Sequence, residues 1–242
     1  MKKPQISVFV PIYNEEKILE FHIRILKKYL NLLPYTWELF IVNDGSIDMS
    51  TEVMRDIVKR DKRIKHIYYK DGKTRRENLA ASFKYANSNI IVMLDMDLSS
   101  NLKYLRRLID EVKVNNYDIV IGSRYIKGSK IKRGFFRLLV SRAFITGCNI
   151  YYGSNISDYE CGFKAFKKPV ILDLIREAGY DKTKKRSVFW DAEILMRAEK
   201  KHYSIKEIPI EWTEGAKSEL HFSREVKMLP YMLRFKKALR KA

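Results

Sequence analysis

The stretch N-I-I-V-M-L-D-M-D-L-S-S, residues 89–100, decides how the rest of the chain is read. Ile90 to Leu94 is a short continuous apolar run, the pattern of a strand buried on both faces. It ends on two carboxylates, Asp95 and Asp97, one residue apart. Alternate side chains of an extended chain share a face, so these acids point the same way. Two anions held so close repel, and one protonates unless a cation sits with them. Helix capping accounts for one polar residue here, with Ser99 or Ser100 as N-cap to the following N-L-K-Y-L-R-R-L-I-D-E-V. It does not account for a second acid on a buried strand. A hard divalent cation, Mg²⁺ or Mn²⁺, does, because it takes oxygen ligands from one or two carboxylates plus substrate phosphates.

Outward from this strand the first half alternates. Apolar runs at 6–10, 37–42 and 64–69 are followed by helical patterns over about 15–30, 48–60 and 75–87. This is the signature of an α/β fold with a mostly parallel central sheet and flanking crossover helices. Ligands of such sheets bind beyond the carboxyl ends of the strands. Three of those ends carry polar residues: V-P-I-Y-N-E-E (10–16), V-N-D-G-S-I-D (42–48) and L-D-M-D-L-S-S (94–100). In the first, Tyr13 offers a flat face for a base and Glu15 a carboxylate for a ribose hydroxyl, while Asn14 is also placed to cap a helix. In the second, Asp44 suits a base or ribose, and the same Asn, Asp and Gly equally suit a plain turn. The second half gives a strand over 117–125, helices near 134–151, 168–178 and 190–201, and a late apolar run, Y-S-I-K-E-I-P-I-E-W.

The charge balance is strongly basic: 48 Lys and Arg against 29 Asp and Glu, net +19. That calls for an anionic partner or a solvated lysine-rich surface. A nucleic-acid-binding protein is the reading from charge alone, but acids at the strand mouths would repel a polyanion, so no nucleic acid is expected. A nucleotidyltransferase would want a glycine-rich phosphate loop after the first strand, which V-P-I-Y-N-E-E lacks. Cys148 and Cys161 lack metal-site or redox spacing and read as reduced thiols of a cytoplasmic protein. The opening M-K-K-P-Q-I-S-V-F-V is too short an apolar run for a signal peptide, and no window reaches the roughly 20 apolar residues of a membrane span. Residues 219–242 form a basic amphipathic segment that either lies on an anionic membrane or packs on the domain, with Pro230 expected to kink it.

Seven segments in order, V-P-I-Y-N-E-E, I-V-N-D-G-S-I-D, M-L-D-M-D-L-S-S, I-G-S-R-Y-I-K-G-S, D-Y-E-C-G-F-K-A-F, F-W-D-A-E-I-L and K-E-I-P-I-E-W, resemble inverting GT-A glycosyltransferases of the family-2 type. The likeness is to dolichyl-phosphate mannosyl- and glucosyltransferases and their bacterial polyprenyl-phosphate relatives, over about residues 5–218. It implies a GT-A domain over 1–218, with 1–98 the nucleotide-binding half and 99–218 the acceptor half. It implies a nucleotide-diphosphate sugar donor (UDP- or GDP-hexose), a polyprenyl phosphate or glycan acceptor, and action at the cytosolic membrane face. By the resemblance, Pro11, Tyr13, Glu15, Val42 and Asp44 hold the nucleoside. Asp95 and Asp97 bind the metal, with Met96 lining the nucleotide site. Arg124 lies near the diphosphate, and Asp191 and Glu193 near the acceptor, with Asp191 the base if the acceptor is a hydroxyl. Lys127, Lys130, Lys132, Arg133, Arg137 and Arg142 suit a lipid phosphate headgroup.

The chain also departs from that pattern. Asn43 stands where relatives often have an acid, and Ser99 where mannosyltransferases tend to have Gln. K-D-G-K-T-R-R-E-N-L-A-A-S (70–82) carries arginines where small residues are expected. Gly215 and Glu219 replace basic residues, leaving Lys217 or Arg224 to substitute.

Overall fold

A computed structural model describes residues 3–74, 76–181, 183, 185–215 and 222–239, the last helix with side chains from 228 onward. In the first half β1 (Ile6–Ile12), β2 (Trp37–Asn43), β3 (Ile64–Tyr68) and β4 (Ile90–Met93) alternate with α1 (Glu16–Asn31), α2 (Ser50–Arg60) and α3 (Glu77–Ser82). α4 (Leu105–Lys113), β5 (Ile119–Ser123), β6 (Lys130–Lys132) and α5 (Phe135–Tyr152) follow. The chain continues through β7 (Lys164–Lys167), α6 (Lys168–Ala178), α7 (Phe189–Lys200), β8 (Ile205–Pro209), β9 (Glu211–Thr213) and α8 (Phe222–Leu239).

Seven strands form one sheet of order β3-β2-β1-β4-β7-β5-β8. All pairs are parallel except those of β7, which runs antiparallel to β4 and β5. Helices cover both faces, which is why β1, β2 and β4 read as unbroken apolar runs. The period-two alternation sorts their side chains into two cores. Val8, Val10, Leu39, Ile41 and Val92 join Leu19, Ile23 and Leu26 of α1 on one face. Phe9, Phe40, Val42, Ile91 and Met93 join Leu79 of α3 and Trp190 of α7 on the other, where Phe9 stacks on Phe40 at 4.6 Å.

The order β2-β1-β4 places a topological switch at β1: the chain moves from β1 to β2 on one side, and β4 lies on the other. The crevice of such a sheet opens at the carboxyl ends there. Tyr13, Asp44 and Asp95 follow β1, β2 and β4 at that end.

Three local expectations are corrected. The helix expected over 75–87 is a short α3 followed by a 3₁₀ turn, Phe83–Tyr85; on its N-terminal side the Thr74 amide and hydroxyl bond Asp44 instead of extending the helix. The cap before α4 is neither Ser99 nor Ser100: Asn101 accepts from the Lys103 amide and opens a 3₁₀ turn, Leu102–Tyr104. The basic loop after β5 hides β6, which pairs in parallel with β9 as a separate two-stranded ribbon. α8 runs through Pro230, with Met228 and Phe235 buried in the α7-side core and Leu229 and Leu233 exposed.

Candidate active site

The mouths of β1 and β2 are latched to each other. The Asn14 amide donates to Ser46 Oγ (3.0 Å), the Glu15 amide to Ser50 Oγ (2.8 Å), and the Ile47 amide to Asn14 Oδ1 (2.9 Å). Asn14 adopts φ +55°, which Asn tolerates better than most residues, so the turn aims it back at β2. Asn43, in the place of an expected acid, is fully buried; its Oδ1 accepts from the Ser46 amide and its Nδ2 donates to Thr51. It therefore shapes the turn that presents Asp44.

Asp44 is buried and tethers the β3–α3 turn. Its carboxylate accepts from the Thr74 amide (2.7 Å), the Thr74 hydroxyl (2.9 Å) and Asn78 Nδ2 (2.6 Å). The turn packs so closely that a Cβ on Gly72 would sit 1.7 Å from the Asp44 carbonyl oxygen. Lys73 of this turn places its ammonium 4.4 Å from the centre of the Tyr13 ring. A flat aromatic face and a cation thus stand together at the β1 mouth. Glu15 and Pro11 flank it, partly exposed. Val42 and Met96 are buried in the cores of opposite sheet faces. The Met96 carbonyl lies 2.8 Å from His22 Nδ1, a contact that puts the ring proton on Nδ1.

At the β4 mouth, Asp95 and Asp97 line a small cavity of about 10 Å³ with Ser99 and Ser100, on the order of the room one water or one ion takes. Two glycines let backbone close on the acids. A Cβ on Gly162 would sit 2.0 Å from Asp95 Oδ2, and one on Gly215 2.6 Å from Asp97 Oδ2. The Asp97 carboxyl is pushed above the usual range by burial and by the Asp95 charge, against hydrogen bonds from the Ser99 amide (3.0 Å) and hydroxyl (2.6 Å). Burial and like charge both disfavour the Asp97 anion, the condition a divalent cation relieves. Among the described residues no group of three or more His, Cys, Asp or Glu could hold a metal. Two carboxylates and a hydroxyl are a hard oxygen set whose remaining positions water or phosphate would fill, and this fits Mg²⁺ or Mn²⁺.

Asp191 lies deeper. It opens α7 and is nearly fully buried, with Oδ1 accepting from Lys164 Nζ (2.7 Å) and Oδ2 from Arg76 Nε (2.7 Å). Burial alone would raise its pKa; the Arg76 and Lys164 charges more than offset that and hold it below the usual carboxylate range. Glu193 is buried too, bonded by Arg197 Nε (2.9 Å) and the Tyr231 hydroxyl (2.7 Å). Arg124 is also occupied. Its Nε and Nη2 each donate to Asp158 at 2.7 Å, and its amide donates to the same carboxylate at 2.9 Å. Lys217 lies outside the described residues, as does the side chain of Arg224.

Sequence reasoning missed Arg76 as a site residue. Its Nη1 donates to Asp95 Oδ1 at 3.1 Å while Nε holds Asp191, so it joins the exposed acid pair to the buried acid. The available signal was the arginine in a turn where small residues were expected.

Glycosyl transferase family 2 is matched over residues 7–175. The chain is 29% identical over 224 residues to glycosyltransferase AglD of Haloferax volcanii, covering 92% of this chain and 35% of AglD. It is 30% identical over 237 residues to dolichyl-phosphate beta-glucosyltransferase ALG5A of Trichomonas vaginalis, covering 92% of this chain and 70% of that protein. The chain thus spans about a third of the first relative's length and about seven-tenths of the second's. Among solved structures, mannosyltransferase PcManGT of Pyrobaculum calidifontis, in complex with GDP-Man and Mn²⁺, shares the fold: TM-score 0.62 over 99% of this chain and 69% of that one, at 16% identity. The matched segment contains all three strand mouths and the acid pair at β4, and the chain belongs to glycosyl transferase family 2, with the GT-A fold.

Proposed function

We propose that this chain transfers a hexose, with inversion, from a nucleotide-diphosphate sugar to a polyprenyl phosphate. The observation that carries this is the Asp95–Asp97 pair around an ion-sized cavity at the switch point of the sheet. Tyr13 and Lys73 supply a face and a cation for the nucleotide, and Asp44 fixes the turn that carries Lys73. Displacing a nucleoside diphosphate builds negative charge on the departing phosphate, and fixed positive charge aimed there lowers the barrier. A bound Mg²⁺ or Mn²⁺ would neutralise part of that charge. Inversion follows when the acceptor attacks the anomeric carbon from the face opposite the leaving group.

Asp191 favours an acceptor that needs no base. A hydroxyl acceptor needs a base, and a carboxylate fixed as an ion pair with Lys164 and Arg76 is a poor one. A lipid phosphate is already ionised and needs none. Relatives named dolichyl-phosphate beta-glucosyltransferases are consistent with that choice.

We place the enzyme peripherally on the cytosolic face of a membrane. No described helix is long and apolar enough to cross one. α5 exposes Phe135, Phe136, Leu139 and Ile150, with Lys132, Arg133, Arg137 and Arg142 before and along it. Apolar and aromatic side chains among cations suit an anionic lipid surface. The test is transfer from labelled UDP- and GDP-hexoses to a polyprenyl phosphate in anionic vesicles with Mn²⁺. Label should pass to the lipid phosphate and stop on chelation. Transfer only to glycan or glycolipid hydroxyls overturns the acceptor, and no transfer from any donor overturns the activity.

A further inference from the structure

Arg76 has an uneven environment. Its side chain is 13% exposed; the Asp191 it holds at 2.7 Å is 3% exposed, whereas the Asp95 it holds at 3.1 Å is 43% exposed. The guanidinium is anchored at a dry end and reaches Asp95 at a wet one. The contacts close a ring. Asp191 is shared with Lys164, whose Nζ also donates to the Cys161 carbonyl at 2.5 Å, and the next residue, Gly162, packs on Asp95. Two carboxylates, Asp95 and Asp191, are therefore held by two fixed cations, Arg76 and Lys164, with Asp97 beside Asp95.

Charge decides what such a site binds. A bare divalent cation approaching Asp95 meets a resident cation already on Oδ1 and must displace or repel it. A nucleoside diphosphate is drawn by that same cation. We propose that Arg76 is a built-in counter-ion of the acid pair, which weakens binding of free metal and couples it to the nucleotide, so that the two enter together. The inference rests on reading Asp95 and Asp97 as the metal acids. Arg76 acts here as a positioning residue through Asp95. Anchorage on Asp191 lets its Asp95 contact open without the side chain leaving the site. Coupling between two ligands through one charged side chain falls in the usual range of roughly 5–150-fold.

The test compares Mn²⁺ binding, followed by the paramagnetic resonance of free Mn²⁺, with and without UDP and GDP, in the wild type and in R76Q and R76K. Arg76→Gln keeps a donor for Asp191 but removes the charge; Arg76→Lys keeps the charge. R76Q should bind bare Mn²⁺ about tenfold tighter and metal-free nucleotide about tenfold weaker, with the synergy between them lost, while R76K stays near the wild type. A merely structural role would shift both affinities in one direction. Unchanged Mn²⁺ affinity in R76Q, or a parallel loss of Mn²⁺ and nucleotide at an unchanged melting temperature, overturns the inference and leaves the metal site standing. No Mn²⁺ bound by any of the three proteins, even with nucleotide, overturns the metal reading and this inference with it.

Discussion

Arg124 and Arg76 are both arginines bound to buried aspartates, and they meet their acids in opposite ways. Arg124 is 5% exposed at its side chain and gives both forks of its guanidinium to one carboxylate, Asp158, which is 0% exposed. The pair is closed: Asp158 also accepts from the Arg124 and Cys161 amides, and the loop after β5 is pinned to the segment before β7. Arg76 divides its donors between two acids on different strands and helices, one dry and one facing the crevice. A saturated pair specifies the fold; a divided one keeps an end that a ligand can compete for. Resemblance assigned the diphosphate to Arg124, yet Arg76 is the arginine bonded to an acid of the pair.

Breaking each pair separates the two roles. Arg124→Ala leaves Asp158 charged and buried without its partner, and the stability loss should be large, about 3–5 kcal/mol in urea unfolding. Arg76→Ala should cost less, about 1–3 kcal/mol, because Asp191 keeps Lys164 and Asp95 reaches water. Equal losses would mean that Arg76 is a structural staple like Arg124.

The smallest effect is a pH dependence. The Asp191 pKa is lowered in the folded state from the ordinary 3.8, so the folded protein binds its proton less readily than the unfolded chain. Its contribution is fully present above the unfolded value and lost as pH falls through the folded one. The melting-temperature gap between the wild type and Asp191→Asn should be flat from about pH 8 to 5 and shrink below about pH 4. A gap that shrinks as pH rises from 5 to 8 would show that Asp191 is protonated in the folded protein and available as an acid or base.

Much of the fold was legible because it is local. The parallel half is announced by apolar runs of strand length between amphipathic helices, and α1, α2 and α6 begin and end within about two residues of where periodicity puts them. The strand mouths were legible because an α/β sheet gathers its carboxyl ends in one place. What escaped is long-range. Arg76 finds its partners 19 and 115 residues away, so no spacing rule pairs them. The ribbon of β6 and β9 has three residues per strand, too few for a period to register. Asp44 suited a ligand or a plain turn equally in the sequence, and the Thr74 and Asn78 that bond it lie 30 and 34 residues later. Val42 and Met96 were matched by position, and burial leaves their side chains in the cores.

In the proposed function the acid pair at the β4 mouth holds the nucleotide-sugar through a divalent cation. Titration calorimetry of UDP- and GDP-hexoses against the wild type and Asp97→Ala, each with Mn²⁺ and with chelator, tests it most directly. The wild type should bind in a Mn²⁺-dependent way, with at least a roughly 100-fold loss in Asp97→Ala. The melting temperature of that variant should be unchanged or higher, since an anion repelled by the neighbouring Asp95 has been removed. Donor binding of equal strength in both proteins, with or without Mn²⁺, would contradict it.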